Sequence, residues 1–178
     1  MSRRVVAGRH FPSVLLVAGV LLALALGACA PATPRTTFPP LGQTPGPAGD
    51  DTAATRKVIV DALSGAGIQA VDAQRTYRPA EGALLAAAPR SLLQVTLPAD
   101  PTHGYILVYS LGSEAAATAA ANDQASYLAS SVAKAYYPPG TSFVLRVIGN
   151  NVVFFSWLPP DSPDPQTPEV QRVLESLG

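Results

Sequence analysis

Apolar residues recur with regular spacing from Asp51 onward, and the period changes several times before Gly178. Over 52–65, Val58, Ile59, Ala62, Leu63 and Ala66 make one helical stripe. Asp51 or Thr52 supplies the N-cap there, and Gly65 and Gly67 supply the stop. The stretch 68–76 alternates weakly through Ile68, Ala70 and Val71 and predicts an edge strand. In 77–90 alanine and leucine favour a helix that Pro79, Gly82 and Pro89 limit to two turns, so helix and loop both stay open. Segments 92–97 and 105–111 predict the strands of a hairpin, with Pro98 and Ala99-Asp100-Pro101 turning the chain between them.

A long helix is predicted over 113–134. Ser113 caps it, Glu114 complements its N-terminal dipole, and Lys134 lies near its C-terminal end. Its middle is almost all alanine, so it can approach a sheet closely, and Pro138-Pro139-Gly140 stops it. Segments 143–148 and 152–157 flank Gly149-Asn150-Asn151, residues that tolerate the positive φ of a tight hairpin. Both strands are apolar at nearly every position except Arg146 and Ser156, the pattern of strands covered on both faces. Thr167-Pro168-Glu169 opens a last helix whose Val170, Val173, Leu174 and Leu177 fall at i, i+3, i+4 and i+7. The fold class is therefore α+β, with a mainly antiparallel sheet of four to five strands and helices packed on it. The stretch 68–148 threads as a ferredoxin-like βαββαβ unit if 77–90 is helical.

Before Asp51 the pattern is of another kind. Arg3, Arg4 and Arg9 precede a 15-residue apolar run from Val14 to Ala28. That is short of the roughly 20 residues a membrane-crossing helix needs, and it fits the h-region of a secretory signal. The run closes on Leu26-Gly27-Ala28-Cys29. These residues resemble the lipobox of bacterial lipoproteins: Leu, a small residue, Gly or Ala, then Cys. The resemblance implies a diacylglyceryl group on the Cys29 thiol, cleavage just before it, and acylation such as palmitate on the new amine. An Ala28-Cys29-Ala30 cleavage site would leave Pro31 after the cut, which general signal peptidases tolerate poorly. An uncleaved signal anchor is the other plain reading. Cys29 is the only cysteine in the chain, so neither an intramolecular disulfide nor a cysteine-based zinc cluster can form.

Residues 31–50 hold six prolines and three glycines and supply neither a core nor a helix. As extended polyproline they would span up to ~60 Å at ~3.1 Å per residue. The organisation expected is a signal at 1–28, a lipidated cysteine and tether at 29–50, and one domain at 51–178. Formal charge is zero with 12 basic and 12 acidic side chains, which offers nucleic acid no electrostatic footing. Removing three arginines with the signal leaves a net charge of −3. Attachment would then rest on lipid, since a basic face is missing and a single acyl chain binds only marginally.

Candidate chemistry is sparse. His103, the only histidine after the signal, sits in the Pro98-to-Gly104 turn, where an exposed turn residue is the plain reading and a hydrolase base the sharper one. No carboxylate cluster has metal-ligand spacing, and no glycine-rich phosphate loop or G-x-S-x-G elbow occurs, so no catalytic set, metal or cofactor is assigned. The aromatics after the tether read first as core. Tyr136, Tyr137 and Trp157 also suit an apolar groove beside the final hairpin that would take a small ligand or an envelope protein. Arg146 is a second candidate for that groove, against an edge position from which its charge reaches solvent.

The domain also resembles a class of small bacterial lipoproteins with no assigned function. The likeness covers about residues 55–177: a Pro/Gly tether and short helix, a hairpin whose second strand YILVYSL runs into an alanine-rich helix, then FVLRVIGNN and PEVQRVLESLG. It brings no catalytic residue. Together the readings point to a lipid-anchored, extracytoplasmic binding or interaction module at the cell envelope. An envelope hydrolase assembled around His103 and a purely structural envelope component are the alternatives.

Overall fold

A computed structural model describes residues 49–100, 103–158 and 164–178. The signal, Cys29 and most of the tether lie outside the described residues. Five strands, β1 (Ala70–Asp72), β2 (Arg90–Val95), β3 (Tyr105–Ser110), β4 (Ser142–Ile148) and β5 (Asn151–Trp157), form one sheet in the order β1-β2-β3-β5-β4. Every neighbouring pair is antiparallel. The helices are α1 (Ala53–Gly65), α2 (Ala83–Ala87), α3 (Glu114–Ala129) and α4 (Thr167–Glu175), with 3-10 turns at Gly49–Thr52 and Ala133–Ala135. This is the α+β class.

The ferredoxin-like threading does not form. A split βαβ unit holds its first two strands parallel with another between them; here β1 and β2 are direct antiparallel neighbours, Ala70 opposite Val95. The segment 77–90 explains the difference. No regular element occupies residues 76–82, and α2 has only five residues, too few to carry a parallel crossover.

Both faces of the sheet are covered, which is why β3 and β5 read apolar at almost every position. Side chains alternate across a strand. Ile106, Val108, Val153 and Phe155 meet Ile59 and Leu63 of α1 and Val170 and Leu174 of α4. Leu107, Tyr109, Val152 and Phe154 meet Leu85, Ala117 and Ala120 of the α2/α3 layer. Each large apolar side chain removed from water this way stabilises the fold by about 1.5–3 kcal/mol.

Several boundaries differ from the sequence expectation for local reasons. In α1 the buried stripe is Thr55, Ile59 and Leu63, while Val58 is 46% exposed, so the helix is rotated by about one position. Ser113 caps α3 as expected, its hydroxyl accepting from Ala116 N at 3.1 Å. The helix then stops at Ala129, not at Lys134. Ser130 takes an extended ψ of 161°, and its hydroxyl donates to the Tyr127 carbonyl at 2.6 Å and accepts from Ala133 N at 3.3 Å. A serine that bonds its own backbone competes with the helix ladder. Lys134 accordingly sits in the separate 3-10 turn.

The β4–β5 hairpin closes over Gly149-Asn150, with Ile148 opposite Asn151. Gly149 has φ 58° and no non-glycine residue among those described has positive φ, the pattern of a type II′ turn. At the start of α4 the N-cap is Gln166, not Thr167, and it makes no side-chain cap bond. Asp164 accepts from Gln166 N and from Ala99 N, both at 2.9 Å, and so ties the β2–β3 loop to the helix.

Candidate functional site

The four residues proposed for a groove do not converge. Alternation along β4 and β5 sends Arg146 and Trp157 to the α1/α4 face, together with Val144 and Phe155. There Arg146 donates to the Leu177 carbonyl through Nε at 3.0 Å and Nη2 at 2.8 Å, fixing the chain after α4. Trp157 Nε1 donates to Gln171 Oε1 of α4 at 3.1 Å. Tyr137 belongs to the opposite face, edge-on to Phe143 with ring centroids 4.9 Å apart. Tyr136, one residue earlier, points out and is 61% exposed. Cys29 lies outside the described residues.

His103 is exposed, and its Nδ1 lies 2.5 Å from Oδ1 of Asp100, whose side chain is buried. A carboxylate on one ring nitrogen fixes the orientation of the imidazole, as a general base requires. Among the described residues no group of three His, Cys, Asp or Glu side chains is placed to hold a metal ion.

A denser polar arrangement lies beneath residues 77–82, which cross the α2/α3 face as an irregular strap. The Glu81 side chain is only 2% exposed. Arg90 Nη1 and the Tyr109 hydroxyl both donate to its Oε1, and Arg78 Nε stands 3.5 Å from Oε2. The Arg90 guanidinium also lies over the Tyr109 ring, 5.3 Å from the centroid. A buried carboxylate needs such company, since removing an ion from water costs several kcal/mol.

On either side the strap is held by neutral contacts. Gln124 of α3, fully buried, accepts from Gly82 N at 2.6 Å, and the Tyr137 hydroxyl donates to the Ala80 carbonyl at 2.7 Å. Asp123 caps α2 by accepting from Leu84 N at 3.1 Å. Tyr77 stacks on Tyr105 with centroids 4.7 Å apart.

The tyrosines here keep their protons. Burial raises the Tyr109 phenol well above its usual range, and the Glu81 charge and the hydrogen bond donated to it push the same way. Tyr137 is raised chiefly by burial, then by the neighbouring phenols of Tyr77 and Tyr127 and by Glu81. Tyr77 is raised by burial against a hydrogen bond with Ser156. Phenols in this state donate hydrogen bonds and are poor bases, so the cluster orients a strap better than it moves protons.

Sequence reasoning missed Glu81, Arg90, Tyr109 and Gln124 as a unit. Gln124 alone carried a readable signal: it lies at i+7 from Ala117 and i+4 from Ala120, a polar residue on a buried stripe. No helix among the described residues is long and apolar enough to cross a membrane. Set against protein-family models, curated proteins and solved structures, the chain matches none.

Proposed function

We propose that the chain is a lipid-anchored extracytoplasmic protein whose domain acts at the cell envelope as a non-catalytic binding module. The observation that carries this reading is Leu26-Gly27-Ala28-Cys29, placed between a basic, apolar leader and a proline-rich spacer and holding the chain's one cysteine. Two or three acyl chains on Cys29 meet the physical requirement for stable attachment. The binding half draws on how side chains are used. Among the described residues the buried carboxylates are committed internally, Glu81 to the strap, Asp164 to the start of α4 and Asp100 to His103. By contrast Val132 (37% exposed) and Tyr136 leave apolar surface in water beyond the end of α3, beside Tyr127.

Membrane fractionation tests the anchor. The wild-type chain should stay with membranes through high-salt washing and leave only in detergent, and Cys29→Ala should lose that retention. A wild-type chain that washes off in salt sinks the reading.

A second reading, an envelope hydrolase with His103 as base, rests on the Asp100–His103 contact. It requires that ester or amide hydrolysis by the purified chain fall at least about a hundredfold in His103→Ala. Hydrolysis unchanged by that substitution excludes it.

A further inference from the structure

We propose that the free edge of β4 pairs with β4 of a second copy, giving a symmetric dimer with one continuous antiparallel sheet. The two sheet edges of the described domain are treated differently. The β1 edge is three residues long and ends on Asp72, which is ion-paired to Arg56 of α1. Short, charged edges of this kind resist strand addition. The β4 edge has seven residues, SFVLRVI, paired to β5 in unbroken register from Ser142 opposite Trp157 to Ile148 opposite Asn151. It has no proline, no lysine, no acidic residue and no bulge. Phe143, Leu145, Val147 and Ile148 are each only half-buried.

The direction of the backbone groups follows from the hairpin. Leu111 N donates to the Asn150 carbonyl at 3.0 Å, so the even-numbered residues of β5 address β3 and the odd-numbered ones address β4. With Ile148 opposite Asn151, the amides and carbonyls of Ser142, Val144, Arg146 and Ile148 turn inward to β5. Those of Phe143, Leu145 and Val147 point out, and among the described residues nothing extends the ladder there.

A second copy fits this edge because the strand is complementary to itself. Antiparallel pairing centred on Leu145 sets Leu145 opposite Leu145 of the second copy and Phe143 opposite Val147. Each of these pairs exchanges both main-chain hydrogen bonds, and the part of each apolar side chain left in water covers its opposite number. The only charge on β4, Arg146, falls opposite Val144 of the second copy, so no like charges meet. Its guanidinium is already held by the Leu177 carbonyl at the end of α4. The interface is isologous, so it closes at two copies. It does not depend on the lipid anchor and applies equally to a soluble chain.

The test uses two full-length copies carrying different epitope tags within the tether, co-expressed and purified through one tag from both membrane and soluble fractions. Wild-type copies should copurify. Leu145→Lys in both copies sets like charges directly opposite and should lower recovery of the second tag by about tenfold or more. Leu145→Lys in one copy with Leu145→Glu in the other should restore it, which a merely misfolded variant cannot do. The proposal is overturned if wild-type copies do not copurify, if the double Leu145→Lys pair copurifies like wild type, or if the opposite-charge pair fails to recover.

Discussion

On the α1/α4 face, Ile59, Leu63, Val170 and Leu174 press apolar side chains onto Ile106, Val108, Val153 and Phe155. On the α2/α3 face the long helix presents the small side chains of Ala117 and Ala120 with Leu85 of α2 beside them, and a strap pinned by Glu81, Arg90, Gln124 and Tyr137 completes the cover. The first face is held by non-directional burial, roughly proportional to area. The second adds to the burial of Leu107, Tyr109 and Phe154 a set of directional hydrogen bonds and ion pairs around the Glu81 carboxylate. One sheet can therefore be closed on one side by bulk and on the other by aim, and the two sides should fail differently.

The largest expected effect is on the bulky side. Phe155→Ala should lower unfolding free energy by about 3–5 kcal/mol, read from denaturant titration, by leaving a cavity among α1, α4 and β5. Next comes Glu81→Gln, which strips Arg90 of its counter-charge and should cost about 3 kcal/mol. Replacing Glu81 by Leu and Arg90 by Met together should cost less than Glu81→Gln alone. If the double variant is the weaker one, the strap depends on more than paired charge.

Ala120→Leu should cost about 1–3 kcal/mol by forcing α3 off the sheet, whereas the exposed Ala119→Leu should change stability little. Equal effects would mean that the close approach of α3 is not what alanine provides. The smallest effect is with pH. Tyr109 and Tyr137 hold their protons more tightly folded than unfolded. Their contribution to stability should therefore be constant below about pH 10 and decline above it, as the unfolded chain loses phenolic protons the folded one keeps. Tyr109→Phe should flatten that alkaline decline; a slope identical to wild type would contradict the assignment.

The same contrast governs what could be read from the chain. On the α1/α4 face the stripe Val170, Val173, Leu174 and Leu177 and the final hairpin were legible, as local patterns set by period and turn chemistry, while the α1 stripe is rotated so that Val58 meets water. The strap was not, because Glu81 meets Arg90 and Tyr109 at sequence separations of 9 and 28 residues, and nothing local marks an isolated glutamate as buried. The end of α3 was misplaced because one serine hydroxyl outcompeted a ladder that composition favoured through Lys134. Tyr137 and Trp157 looked like neighbours on one groove, yet a sheet covered on both faces sends them to opposite sides. His103 was expected at an exposed turn and is exposed, but the buried Asp100 beneath it was not foreseen as its partner.

The most direct test of the functional account is the intact mass of the chain extracted from membranes, with and without Cys29→Ala. The account expects a mass equal to residues 29–178 plus acyl groups, lost in the variant. An unmodified mass, or the same mass in both, would contradict a lipid anchor at Cys29 and with it the envelope reading built on that residue.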